Sequence, residues 1–256
     1  MNPLLLSKLK KINFLDIDFN FNFLKLKEEV LNSRFWYDHY VPPQYYFVKD
    51  SPPEIHKNYK QCAILTYDPR KSSKCLTEYF AWKDNSGNIR YYYDYNLDDR
   101  KYYFTEVADE YPYLKQLILE ISDRPILCKI VKSSPGHGLG WHSHQNDPEF
   151  PKLNRPEQCI LHIPIIQDEN VAFMVRDDLP ENRMFFDTLE NYKKMNNIDI
   201  GSFLPGKIYF FNGYKVHAYK NYSKNERIDI LLYNDIDHNK KLESLLEKSI
   251  KELENV

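Results

Sequence analysis

From residue 125 onward the chain is cut into short β-prone runs, and this feature constrains its fold more tightly than any other. The runs cover 126–132, 159–166, 171–176, 207–211, 217–221 and 227–233. Between them stand Pro135-Gly136, Asp168-Glu169-Asn170, Pro205-Gly206 and Asn212-Gly213. Proline fixes φ at the first corner of a turn and glycine accepts the positive φ of the second, so such pairs stop a strand and reverse it. Many short strands with turn signals between them predict an antiparallel sandwich or barrel. The expected class is mainly β with flanking helices.

Upstream the pattern is mixed. Residues 24–34 suit a helix, 45–48 and 63–67 suit short strands, and 79–83 and 89–93 flank a turn-rich connection, Asp84-Asn85-Ser86-Gly87-Asn88. Tyr113, Leu114, Leu117, Ile118 and Ile121 form an apolar stripe at helical spacing. Within the β-rich half, 179–200 is an interruption with Phe185, Leu189 and Tyr192 at helical spacing. A last stripe, Leu242, Leu245, Leu246, Ile250 and Leu253, closes the chain. The organisation expected is an N-terminal mixed α/β extension (1–122) packing on a β core (123–236), a helical insertion (179–200) within that core, and a C-terminal helix (237–256).

Composition excludes several functions. With 42% hydrophobic and 28% charged residues the chain is globular material. The net charge of -2, with both signs interspersed, is no nucleic-acid footprint. No apolar run reaches the roughly 20 residues that span a bilayer, and the first residues lack the basic-then-apolar layout of a signal peptide. Cys62, Cys75, Cys128 and Cys159 lack the short paired spacing of a zinc site or a disulfide framework. A cytoplasmic protein is expected, with no nucleic-acid or membrane partner.

The chemistry concentrates on histidine. In an extended segment residues two apart share a face, so His142 and His144 can point the same way. His217 follows the Pro205-Gly206 turn and the 207–211 strand, and Arg227 stands ten residues later on the next strand. Imidazoles on one face with open positions beside them suit Fe(II). A nearby guanidinium offers a planar fork for a carboxylate that must reach the same metal. Any one of these histidines alone reads more simply as structural; their order and spacing carry the functional reading. Trp141 reads as packing at the barrel mouth, His137 as a loop cap and Asn221 as a turn stabiliser. Tyr91-Tyr92-Tyr93 and Tyr102-Tyr103-Phe104 read as strand faces.

In these motifs the chain resembles the aspartyl/asparaginyl β-hydroxylase family of 2-oxoglutarate oxygenases, over residues 125–235. The resemblance rests on Pro135-Gly136 with His142, on Leu161-His162-Ile163-Pro164, and on Pro205-Gly206, His217, Asn221, Arg227 and Leu231. Tyr103 to Tyr113, leading into a helix, is similar to the family's approach to its core. The resemblance implies a double-stranded β-helix, the cupin-like jelly roll. It also implies Fe(II) and 2-oxoglutarate, O₂, and hydroxylation of an unactivated C–H bond in a small molecule or a peptide side chain. By it His142 and His217 are the iron ligands, Arg227 holds the distal carboxylate of 2-oxoglutarate, and His162 lies beside the co-substrate.

Two positions depart from the pattern. Where many such enzymes place a carboxylate two residues after the first His, this chain has His144, read here as a third ligand or as its neighbour. Two residues beyond Arg227, where a hydroxyl often assists, stands Asp229. An ionised Asp there repels a co-substrate carboxylate unless it points away or pairs with a lysine. These departures keep two alternatives open. One is a three-His cupin dioxygenase (His142, His144, His217) that does not use 2-oxoglutarate, and the other is a non-catalytic cupin-like binder of a small acid. The loop at 147–156 and the insertion at 179–200 are expected to line the substrate entrance.

Overall fold

The structure is a computed structural model that describes residues 2–38, 58–66, 72–74, 81–83, 89–91, 102–143, 158–181, 187–236 and 238–255. The upstream part holds helices α1 (Pro3–Leu9), α2 (Phe23–Leu31) and α3 (Pro112–Ile121). Its strands are β1 (Phe14–Ile17), β2 (Tyr37–Asp38), β3 (Tyr59–Thr66), β4 (Ala81–Lys83), β5 (Ile89–Tyr91) and β6 (Tyr103–Phe104). Then come β7 (Pro125–Ser133), β8 (Gly138–His142), β9 (Gln158–Ile166), β10 (Val171–Arg176), α4 (Leu189–Tyr192), β11 (Asp199–Gly201), β12 (Ile208–Phe211), β13 (Val216–Asn221), β14 (Arg227–Asp235) and α5 (Lys240–Glu254).

The strands form a large sheet in the order β1-β12-β9-β14-β7-β3-β2, with β6 also on β3, and a small sheet in the order β11-β10-β13-β8. From β7 to β14 the chain passes back and forth between them: β7, β9, β12 and β14 lie in the large sheet, β8, β10, β11 and β13 in the small one. Every pairing is antiparallel. That path is the double-stranded β-helix, a jelly roll of two facing sheets. The Pro135-Gly136 turn carries one crossing, with Gly136 at φ 78, and Pro205-Gly206 precedes another, with Gly206 at φ 93. A side chain at either glycine would be strained.

The two-residue period of the strands sorts side chains between the faces. On β14, Ile228, Ile230 and Leu232 join the main core with Leu5, Leu26, Leu117, Leu246 and other residues of α1, α2, α3 and α5. Arg227, Asp229 and Leu231 alternate with them and face the small sheet. On β13, Val216 and Ala218 pack outward with Trp141, while His217 and Tyr219 face inward. Each apolar side chain buried in this way contributes about 1.5–3 kcal/mol. Cys62, Cys128 and Cys159 are buried in the main core.

Helix α3 occupies the stripe read from 113–121, with Leu114, Leu117, Ile118 and Ile121 buried. Its first turn lacks a local side-chain cap. Glu29 of α2 supplies it instead, accepting from the N–H groups of Tyr113 (2.8 Å) and Leu114 (3.0 Å); a carboxylate at a helix N-terminus also suits the dipole. The strands read on either side of 84–88 are present as β4 paired antiparallel with β5, and the connection itself lies outside the described residues. The 45–48 segment lies outside the described residues.

Two expectations change. Residues before 122 do not simply lie on the β core. β1 pairs with β12 and β3 pairs with β7, so this segment widens the large sheet itself. Among its described residues the insertion at 179–200 contains a single helical turn, α4, and it ends as β11 on the edge of the small sheet. Its Leu189, Tyr192 and Ile198 bury against Trp141, Met174 and Val216, on the face of the small sheet turned away from the barrel interior. The described part is thus a backing layer, not a wall of the entrance, because its apolar side chains are spent on that outer face. Phe185 and the 147–156 loop lie outside the described residues.

Candidate metal centre

His142 and His217 are direct register partners across β8 and β13, with ring centroids 4.3 Å apart. Directly opposed residues point to the same face of a sheet, so the pairing brings two imidazoles together from positions 75 apart in sequence. The rings are held alike. His142 Nδ1 is 2.7 Å from the Gly140 carbonyl oxygen and His217 Nδ1 is 2.9 Å from that of Lys215. A carbonyl only accepts, so Nδ1 carries the hydrogen in both, and the neutral ring keeps its lone pair on Nε2. A backbone carbonyl on the far nitrogen is the usual way a ligating histidine is oriented. His217 is buried, with its ring against the edge of Phe211 at 5.1 Å, and His142 is half-buried. The arrangement fits a divalent metal held by two imidazoles. Among the described residues no group of three or more His, Cys, Asp or Glu is placed to hold a metal. His144 lies outside them.

Behind this pair, on the large sheet, Arg227, Asp229 and His162 form one buried cluster. The Arg227 guanidinium bonds the Asp229 carboxylate through Nη2 and donates from Nε to Gln167 Oε1 at 3.2 Å. Its flat face lies 5.0 Å from the Phe173 ring and 4.7 Å from the Tyr219 ring. His162 Nδ1 meets the same Asp229 oxygen at 2.7 Å. Phe211 touches His217 on one side and His162 on the other, so the cluster and the histidine pair share one aromatic wall.

Burial alone would push the Asp229 carboxyl up, but Arg227 and His162 outweigh it and hold it below its ordinary value. Burial also dominates at His162, which stays below the ordinary imidazole value in spite of Asp229. The resting cluster is therefore a guanidinium, a carboxylate and a neutral imidazole whose Nδ1–H donates to the carboxylate. Asp229 Oδ1 is buried and has no hydrogen-bond partner among the described residues.

The structure thus brings together His142 with His217, and separately Arg227 with His162. Asp229, which the sequence reading would have point away or pair with a lysine, is paired with Arg227 and His162. Trp141 packs on the outer face of the small sheet, not at the mouth. Asn221 stabilises a turn, its Nδ2 donating to the Ser134 and Asn225 carbonyls at 3.2 and 2.9 Å. His137 is more than a loop cap: its ring stacks on Tyr59 at 5.0 Å and its Nδ1 bonds the Tyr219 hydroxyl. Sequence reasoning missed Tyr219 and the pairing of Asp229. Both sit two residues beyond a flagged residue on the same strand, and the two-residue period was the available signal.

No family profile matches the chain, and no curated protein matches it. Solved structures do resemble it. The non-heme alpha ketoglutarate dependent carbocyclase SnoK from nogalamycin biosynthesis is 12% identical over 93% of this chain and 85% of that one, with a TM-score of 0.47. HygX from Streptomyces hygroscopicus, with nickel and 2-oxoglutarate bound, is 10% identical over 93% and 88%, with a TM-score of 0.44. A cupin domain from Bordetella pertussis is 13% identical over 44% and 83%, with a TM-score of 0.27. The fold assignment rests on the sheet topology, not on these likenesses.

Proposed function

We propose that this chain is an Fe(II)- and 2-oxoglutarate-dependent oxygenase that hydroxylates an unactivated C–H bond of a small molecule or a peptide side chain in the cytoplasm. The observation that carries the reading is the His142–His217 register pair, with both Nδ1 atoms tied back along their own strands. When bound, the metal supplies the O₂ chemistry that a protein side chain cannot. The chain's own groups do the rest. The Gly140 and Lys215 carbonyls fix the tautomer and the aim of the two rings. Arg227 presents its guanidinium to the distal carboxylate of 2-oxoglutarate, with Phe173 and Tyr219 holding its plane. Phe211, against both His217 and His162, excludes water from the wall they share. His144 is proposed as a third donor or as a neighbour of the two.

Anaerobic addition of Fe(II) and 2-oxoglutarate should raise a weak visible charge-transfer band, and O₂ should then yield succinate. His217→Ala should abolish both while leaving the far-ultraviolet circular dichroism intact. A wild-type protein that gives neither band nor succinate sinks the reading.

A second reading keeps the same His142–His217 pair. In it His142, His144 and His217 bind the metal without 2-oxoglutarate, and Arg227 takes the substrate's own acid group. Oxidised product without succinate is its signature.

A further inference from the structure

The buried cluster carries no net charge. Arg227 contributes one positive charge, Asp229 one negative charge, and His162 rests neutral, all three almost wholly out of water. A ligand carboxylate brought beside Arg227 would leave these three groups and the ligand with a net negative charge. Moving Arg227 off Asp229 does not help, because it strands Asp229 instead. Two atoms can accept a compensating proton. One is Nε2 of His162, whose Nδ1–H already points at Asp229. The other is Asp229 Oδ1, a buried carboxylate oxygen with no donor against it among the described residues.

We propose that a carboxylate ligand enters the Arg227 site only together with one proton, taken from solvent and held by the His162–Asp229 pair. This rests on the reading of Arg227 as the carboxylate receptor and gives that site a pH dependence of its own. The step forms one N–H or O–H bond and consumes one solvent proton; nothing is oxidised or transferred. The groups facing the pair fit this direction. Arg227 stands beside it on β14, Lys129 on β7 opposes a second positive charge at His162, and Tyr219 of β13 and Tyr59 of β3 face Arg227. Phe173, Phe203 and Phe211 close the His162 ring in without adding charge. A negative ligand is then the one change that makes a proton on the pair favourable.

The sign follows from linkage. The complex binds one more proton than the free protein, so affinity falls with rising pH, by up to about tenfold per pH unit. The test is calorimetric titration of 2-oxoglutarate into protein pre-saturated with Mn(II), and of glutarate into metal-free protein. Both are run near neutral pH in buffers of differing ionisation enthalpy. About half to one proton should be taken up per ligand. In Asp229→Asn, Arg227 is left without its resident anion, so uptake should drop to zero and affinity should become flat with pH. Wild-type binding without proton uptake overturns the proposal and needs no variant to fold. Equal uptake in Asp229→Asn overturns it as well. Succinate formation is scored separately. Turnover without proton uptake ends this inference and spares the oxygenase reading. Proton-coupled binding without turnover does the reverse, and no binding of either acid ends both.

Discussion

Removing one member of the Arg227–Asp229–His162 cluster is expected to cost far more than removing an exposed charge. Arg227→Met takes the resident cation from the buried Asp229 carboxylate and leaves it only the His162 Nδ1–H, which should lower stability by about 3–5 kcal/mol in urea denaturation. The exposed Lys193–Glu190 pair should contribute less than about 1 kcal/mol. The cluster also sets a pH response. His162 has a folded value below its ordinary one, so the unfolded chain binds more protons once pH falls below about 6.5. Stability present above that point is lost as pH falls toward the folded value, and Asp229 adds a further loss below about pH 4. His162→Gln, which retains a donor but does not titrate there, should show a smaller drop in Tm between pH 7 and 5. At this scale spacing along strands pointed to His142, His217 and Arg227, and the family resemblance pointed to His162, because both are read from local stretches of sequence. The pairing of Asp229 was not legible, since whether a carboxylate repels or completes a site depends on which strand faces it.

At the scale of elements, the insertion at 179–200 shows what periodicity alone cannot decide. Its Leu189 and Tyr192 mark an apolar face without naming the surface it covers. That surface is the back of β10, β13 and β8, beneath the histidines. Leu189→Ala should therefore destabilise the protein by about 2–5 kcal/mol in chemical denaturation. The variant should keep the coupling of 2-oxoglutarate consumption to product formation in whatever fraction remains folded. Uncoupled turnover in a protein of undiminished stability would return the insertion to the role of a lid. The strands of the jelly roll were legible one by one from Pro-Gly turns and alternation. Their division between two sheets came from the family resemblance, because a turn signal alone does not tell a hairpin from a crossing between sheets.

For the molecule as a whole, the ends of the chain are joined. Lys8 pairs with Glu254 and the Asp18 N–H donates to Ser249 Oγ at 3.0 Å, so the first strand and the last helix hold each other. Asn212, in the turn after β12, donates to the carbonyls of Leu9, Lys10 and Ile12. Deleting residues 2–17 should bare the edge of β12 and strip α5 of its partner. The expected outcome is a protein that aggregates on expression instead of a smaller folded core. A soluble, cooperative unfolding transition from that deletion would show that the jelly roll stands alone. Sequence reading took this segment for an extension because its strands are short and far from their partners; β1 meets β12 nearly 200 positions away. No helix among the described residues is long and apolar enough to cross a membrane.

β8 is the outermost strand of the small sheet among the described residues, laddered on one side to β13, while β13 lies between β8 and β10. One imidazole of the pair therefore rides on backbone that frays readily and the other on backbone that does not. An ion gripped by both would behave as a fastener at a seam: its grip shuts the margin of the small sheet, and its departure lets that margin loosen. Amide hydrogen exchange across 138–142 should slow markedly when Mn(II) is added, with β14 unchanged. The same loosening gives metal loss a route through local opening, so the rate at which a chelator strips the protein should follow the opening of this one strand and not the global unfolding of the barrel.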